Sequence, residues 1–575
     1  MHSAKYIQVI LPLKLGWNPI YSVQEEVSEG DRLLVSLMGR QYCGVAYKLD
    51  VIPDIAPSRI RPVEKVLPIP PVTGEEIRLW EFLSSYYMCS IGEVYKCAYP
   101  GLKIKSELTA QRSRERSADG QARQSAALAA SLEARLGRLE TRIARRQEAL
   151  ELRKSSTRAS AGVSEKLTAE LSVLMKETGI VREKLAALKE QADADSAFAV
   201  SVSSPVKRPA RARAASVQQK PLFLHSTDRT ERYVSEVRAQ LSEGHSSLIL
   251  VPEIALGDTM QERLKAEFGD RLRIFNSQYT PVRRRKVMDD VRDASQPEVI
   301  LGTRSSLFLP FNKLGLVIVD EEQDPMYKQT DPAPRFNARD TAVVLAGIHG
   351  AKVILGSGCP SLETLENCLS GKYALEEGPL APACVEIIDL SSERHKRGVR
   401  DLFSYKLIDA IRETRGTVRI IRCWEQQDAI AASLSEIFPD RKIDILTAQE
   451  ARLLREPAEL TAILQADAFF SLTDFRADER ALQTFSAFRT ARMLIQTTRA
   501  QHPVFSILAS AALPLQLLDE RRSFDLPPFT REVQTIGPQP QSFFFPKDST
   551  LAARKQALLQ SLPEDTVYDV DPIRN

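Results

Sequence analysis

No run of the 575 residues is long and apolar enough to span a bilayer, which takes about 20 consecutive apolar residues. No CxxC pair occurs among the seven cysteines, Cys43, Cys89, Cys97, Cys359, Cys368, Cys384 and Cys423. That excludes a zinc ribbon and a thioredoxin-like dithiol, so no zinc site is expected. An odd cysteine count in so long a chain suits reduced thiols rather than a disulfide framework. The opening MHSAKYIQVILPLK meets Lys14 too early for a secretory signal. These absences lead us to expect a soluble, cytoplasmic protein with no membrane partner.

Net charge is nearly absent too, at +3. The balance is uneven, however. Lys103 to Arg213 holds 23 Lys plus Arg against 14 Asp plus Glu, a net of +9, which leaves −6 for the remainder. A basic segment carried by a mildly acidic body suggests a polyanionic partner. The length implies roughly three to five domains, and 43% apolar with 27% charged residues suits globular ones.

The pattern along the chain divides accordingly. Tyr6–Leu13, Ile20–Val23 and Arg32–Leu37 read as strands with Gly30 and Gly39 as turn residues, followed by an extended stretch over Arg59–Leu67. A short helix is predicted over Glu75–Tyr87. Farther on, Leu132, Leu136, Leu139, Ile143 and Leu150 keep a 3-4 spacing, and Leu167, Leu171, Leu174, Val181, Leu185 and Leu188 keep it again after a Ser/Thr/Gly-rich break. Two such runs predict an antiparallel coiled-coil hairpin, its first helix decorated by Arg135, Arg138, Arg142, Arg145 and Arg153. The tail SSPVKRPARARAAS reads as a basic linker.

From Val299 to Gln323 the sequence is VILGTRSSLFLPFNKLGLVIVDEEQ. The apolar run Leu316–Val319 delivers Asp320, Glu321 and Glu322 in succession, as a buried parallel strand ending in acids would. Ligands bind beyond the carboxyl ends of such strands. In nucleotide hydrolases an Asp there helps to hold Mg²⁺, and a neighbouring Glu can orient the attacking water.

Several segments resemble one family in order. YIQVILPLKLGWNPIYSV, GDRLLVSLMGRQYCGVAY and WEFLSSYYMCSIGEVYKCAYPGLK resemble the amino-terminal, 3′-DNA-end-binding domain of primosomal protein N′ (PriA), the replication-restart helicase of superfamily 2. LVPEIAL, GTRSSLF, DEEQ and GSGCPS lie in register between Phe223 and Tyr373 and are similar to motifs of its first RecA-like lobe. SLTDFRADERALQTFSAFRTARMLIQTTRAQHPVF resembles part of its second lobe, and LLDERRSFDLPPFTREV with VYDVDPIRN its carboxy-terminal domain in shortened form.

The resemblance implies site residues. Tyr21, Gly39, Arg40, Arg304, Lys328 and Arg335 would contribute to DNA binding. Arg229 and Thr230 would meet ATP, with Asp320 and Thr230 on Mg²⁺, Glu321 beside them, and Arg489 and Arg492 reaching across from the second lobe. Here the chain departs from the pattern. Where the family has G-x-T-G-S-G-K-T-E, this chain has His225-Ser226-Thr227-Asp228-Arg229-Thr230-Glu231, without a glycine. Phosphate loops need glycines so that backbone N–H groups can approach the phosphates. A planar arginine fork does not replace a lysine point charge. The zinc module and the GTQ-type translocation motif of the family are absent from the sequence.

We therefore expect a multidomain α/β protein. Its parts are a small β-rich DNA-binding domain (1–103), a helical coiled-coil insertion with linker (104–218), two RecA-like parallel-sheet lobes (219–383 and a reduced 384–510) and a short α+β domain (511–575). The expected function is replication-restart DNA binding at 3′ ends or forks, with weak or lost ATPase and with other restart proteins as partners. The alternatives are an active 3′-to-5′ helicase using ATP and Mg²⁺, and a scaffold acting through the hairpin.

Overall fold

A computed structural model describes residues 5–100, 130–148, isolated positions between 174 and 185, and 219–573 apart from 254–257, 277–278, 382–383, 424–425, 453, 455–457, 471–473, 489–491 and 564. The chain forms two compact units: Met1–Gly101 with Ala215–Asn575, and Leu102–Ala214.

The larger unit begins with an antiparallel sheet ordered Ile20–Val23, Lys5–Ile10, Arg40–Lys48, Arg32–Leu37, Lys65–Val66. Alternation sends Ile7, Val9, Tyr21, Leu33 and Val35 into one core. The first strand stops before Pro12, which has no N–H to give, and Pro62 shortens the stretch expected from Arg59 to Lys65–Val66. Helices Gly74–Tyr86 and Ile91–Ala98 pack on this sheet, and each opens with a capping box, Thr73/Glu76 and Ser90/Glu93. Only glycine fits at 92, because a Cβ there would lie 2.2 Å from the carbonyl oxygens of Leu11 and Leu13. Trp80 stacks on Tyr95 with centroids 5.3 Å apart. The buried Arg32 lies over the Tyr99 ring and donates to Tyr95 Oη at 2.8 Å.

Next comes a seven-stranded parallel sheet ordered Ala374–Glu377, Leu222–His225, Lys352–Ser357, Leu314–Asp320, Ser246–Leu250, Val299–Gly302, Leu272–Phe275. Its central strands are apolar on both faces, as a parallel sheet covered by helices requires. A five-stranded parallel sheet follows, ordered Cys384–Asp389, Arg492–Thr497, Leu460–Ile463, Val418–Arg422, Asp444–Thr447. These two sheets match the two expected RecA-like lobes. Last is a three-stranded antiparallel sheet, Ser542–Pro546, Thr530–Ile536, Val567–Val570, with helix Leu551–Ser561.

The two parallel lobes share a core. Cys359, Leu362 and Leu365 of the first lobe belong to the same buried cluster as Leu482, Phe485, Phe505 and Leu508 of the second. The final sheet is fastened to earlier elements by lysines. Lys328 Nζ meets Asp569 at 2.6 Å and the Val570 carbonyl at 2.7 Å, and Lys555 Nζ donates to the Tyr86 carbonyl at 2.9 Å.

In the smaller unit, residues 130–148 are helical, with Leu132, Leu136, Leu139 and Ile143 packed on Leu174 and Val181. Arg182 pairs with Glu140 at 2.7 Å. Leu150, Arg153, Leu167, Leu171, Leu188 and the basic linker lie outside the described residues.

Two outcomes follow from this packing. Phe485 is fully buried where the lobes meet, so Phe485→Ala is expected to cost about 3–5 kcal/mol in urea unfolding. A loss under about 1 kcal/mol would mean that this core is not formed. Burial also lowers the Lys555 ammonium from 10.5 to about 8. The unfolded chain therefore binds the extra proton between those values, and stability rises as pH is raised from about 8 to 10.5. In Lys555→Met that part of the slope should vanish, and equal slopes in both proteins would count against a buried ammonium.

Candidate functional site

The acids of the Val299–Gln323 stretch come at the end of the central strand of the first lobe, as expected, and Asp320 is buried. Facing it is the turn from His225 to the helix Thr230–Ser242, where the family places its phosphate loop. Arg229 is the last residue before that helix, and its side chain points inward. Its Nε donates to Asp320 Oδ1 at 2.8 Å, Nη2 bonds Glu321 and Nη1 bonds the Ser226 carbonyl. Tyr233 Oη, one turn into the helix, donates to Asp320 Oδ1 at 2.9 Å. The carbonyl of Asp320 is taken by Tyr327 Oη at 2.6 Å. Gly356 makes this crowding sterically feasible, because a Cβ there would sit 1.8 Å from Tyr233 Oη and 2.8 Å from Arg229 Cδ.

Electrostatics reinforce the arrangement. Burial works against the Arg229 cation, but Asp320 and Glu321 outweigh it and hold the guanidinium charged well above its ordinary range. Burial holds the Asp320 carboxyl above its ordinary range, and Arg229 offsets only part of that rise.

The turn itself is already satisfied. Ser226 N–H donates to the Ser357 carbonyl at 3.1 Å and Thr227 N–H to the Pro379 carbonyl at 3.0 Å. Asp228 N–H donates to Ser226 Oγ at 3.1 Å. A phosphate cradle consists of such N–H groups left free and converging. Here three of them are used within the protein, and a guanidinium occupies the carboxylates that would hold Mg²⁺. These residues do not fit ATP and Mg²⁺ as a phosphate-loop enzyme binds them. Thr230 begins the helix. Among the described residues, no group of three or more His, Cys, Asp or Glu is placed to hold a metal.

Glu322, beside these acids, has a different task. It is buried and accepts from Ser361 N–H at 2.7 Å, Ser361 Oγ at 2.8 Å and Thr364 Oγ1 at 2.8 Å, with Arg339 at 3.2 Å. From there polar contacts run into the second lobe. Leu362 N–H donates to Glu479 Oε1 at 3.0 Å, and Glu363 pairs with Arg476 at 2.8 Å. Arg521 pairs with Glu479 at 3.1 Å. Burial works against the Glu363 carboxylate, yet Arg476 and Arg339 hold it well below its usual range.

The remaining candidates are dispersed. Lys328 is buried against Asp569 and the Arg335 and Val570 carbonyls, and burial lowers its ammonium while Asp569 raises it. Arg304 donates to the Lys328 carbonyl at 2.6 Å, and the largely buried Arg335 pairs with Asp331 at 3.1 Å. Tyr21 lies in the first core, donating to the Ser36 carbonyl at 3.1 Å. Gly39 turns the hairpin in the left-handed region at φ 78°, and Arg40 is exposed next to it. Arg492 begins a strand and pairs with Glu413 at 3.1 Å. Arg489 lies outside the described residues.

Sequence reasoning missed Tyr233, Arg339, Arg476 and Glu479. The first was legible as the position one turn after Arg229 on the same helix face. The others join segments far apart in the chain and leave no local signal.

Residues 8–100 match the family of the 3′DNA-binding domain (3′BD) of PriA. The replication restart protein PriA of Chlamydia pneumoniae is 37% identical over 190 residues, which are 32% of this chain and 25% of that protein. PriA of Rickettsia prowazekii is 39% identical over 189 residues (32% and 28%), and that of Haemophilus influenzae 41% over 145 (25% and 20%). The chain resembles PriA. Those matches span about a quarter of each PriA relative's length. RecG bound to a three-way DNA junction aligns over 53% of this chain and 47% of its own, at 14% identity and a TM-score of 0.34.

Arg229→Met would leave Asp320 buried without its cation, at an expected cost of about 3–5 kcal/mol. Combining it with Asp320→Leu should recover most of that loss, since replacing a whole buried pair is often near neutral. Urea unfolding without nucleotide checks both, and an unchanged midpoint in the single variant would mean that the pair does not form.

Proposed function

We propose that this chain is a replication-restart DNA-binding protein that engages 3′-ended or forked DNA without turning over ATP. The reading rests on two supports. Residues 8–100 match a 3′DNA-binding domain, and curated relatives 37–41% identical over part of the chain bear the replication-restart name. The observation that carries the second half is Arg229, bound to both Asp320 and Glu321. A motor must exchange nucleotide there at every step.

In this reading residues 1–103 grip the DNA end, with Arg40 on the exposed turn. The lobes 219–383 and 384–510 act as a fixed platform, and 511–575 braces both. DNA is the partner, together with other restart proteins in the cytoplasm, while ATP and Mg²⁺ are not required. The lobes' shared core and the Glu363–Arg476 pair oppose the opening and closing of a helicase cycle.

The full chain, mixed with forked DNA bearing a free 3′ hydroxyl, is expected to hydrolyse ATP no faster than a protein-free blank. Turnover that disappears in Asp320→Ala or Arg229→Ala would establish the helicase reading instead. By fluorescence anisotropy, 3′-hydroxyl ends should bind about tenfold tighter than 3′-phosphate ends, and binding should weaken as salt rises. Equal affinity for both ends would remove the end-capture half of the proposal.

A further inference from the structure

The insertion helix at 130–148 has three kinds of face. Leu132, Leu136, Leu139 and Ile143 form the packed seam. With about 100° per residue, Glu133 and Glu140 fall on one flank of that seam, and Glu140 reaches Arg182 of the second helical stretch. Arg135, Arg138, Arg142 and Arg145 fall on the other flank, and all four are exposed. They recur at 3-4-3 spacing, so each neighbours the next on one face. Arg135, Arg138 and Arg142 have no acid three or four residues away in either direction.

A solvated helix face ordinarily intersperses the two signs, because Glu and Arg at i and i+4 support each other. Here the signs are sorted onto opposite flanks, and neighbouring arginines oppose helix formation by repulsion. Sorted cations of this kind are stabilised by a polyanion laid along them. The stripe covers about 15 Å at 1.5 Å per residue. Over that length duplex DNA carries about nine phosphates, at one charge per 1.7 Å of axis. Few protein surfaces match this density. The planar guanidinium also takes phosphate oxygens two at a time. The surrounding segment is net +9 in a chain that is otherwise −6.

We propose that the Arg135–Arg138–Arg142–Arg145 face binds the phosphate backbone of double-stranded DNA, independently of sequence. This deepens the DNA-binding reading above by adding a duplex-arm site distinct from the 3′-end domain.

The test uses the full chain and two probes: a blunt 25-base-pair duplex with both 3′ ends blocked by phosphate, and a single strand with a free 3′ hydroxyl. In R135Q/R138Q/R142Q/R145Q, duplex affinity is expected to fall at least tenfold. The slope of log K against log salt should become shallower by about 3 to 4, close to 0.9 per lost phosphate contact. The fourfold Lys variant should keep most of that slope, and circular dichroism verifies that the helix is intact. Unchanged duplex affinity and slope in the Gln variant would overturn the proposal. So would retained duplex binding with loss of binding to polyglutamate, which would identify an acidic protein as the partner. The single strand separates the two readings: its failure to bind wild type sinks end capture and leaves the duplex result standing.

Discussion

The interaction on which the rest depends is the one between Arg229 and the paired acids at the end of the central strand. A buried ion pair adds little net stability, since desolvation consumes most of its attraction. Its effect is to exclude alternatives. Once the guanidinium spans Asp320, Glu321 and the Ser226 carbonyl, a phosphate chain would have to expel a cation and rebreak satisfied N–H groups. Tyr233 completes the lock from the helix side, and Gly356 makes room for it. The carboxylate that ends this strand is spent within the protein.

The same economy extends between the lobes. Glu322 no longer faces solvent chemistry. It orders the Ser361 turn, which positions Leu362 and Glu363 against Glu479 and Arg476. Both lobes also contribute to one apolar cluster. Lobes that must slide apart normally meet through wet, replaceable contacts. Here they meet through a shared interior.

Much of this was legible in the chain itself. The apolar run into Asp320 gave the strand, its burial and its position at the carboxyl edge. The short helix expected over Glu75–Tyr87 lies at Gly74–Tyr86, and the 3-4 leucine spacing announced the packed helix at 130–148. The missing glycines of the 225–231 turn announced that the phosphate cradle was gone. They did not announce what replaced it, because the inward turn of Arg229 depends on Gly356, more than a hundred residues away in sequence. Lys328, named through the resemblance, shows the same limit. Nothing near it in the sequence tells of Asp569, with which it pairs. Charges are legible from sequence by type, while their partners are set by the fold.

The lysine fastenings have a bearing on synthesis. Tyr86 Oη reaches Asp571 across 485 positions, and Lys555 reaches Tyr86 across 469. At about 5–20 residues per second, a ribosome needs roughly 25–100 s to span such a separation. Through that interval the first sheet is already made without its closing partner, and Lys328 waits roughly 12–50 s for Val570, 242 positions on. The nascent chain therefore passes through a long half-built stage.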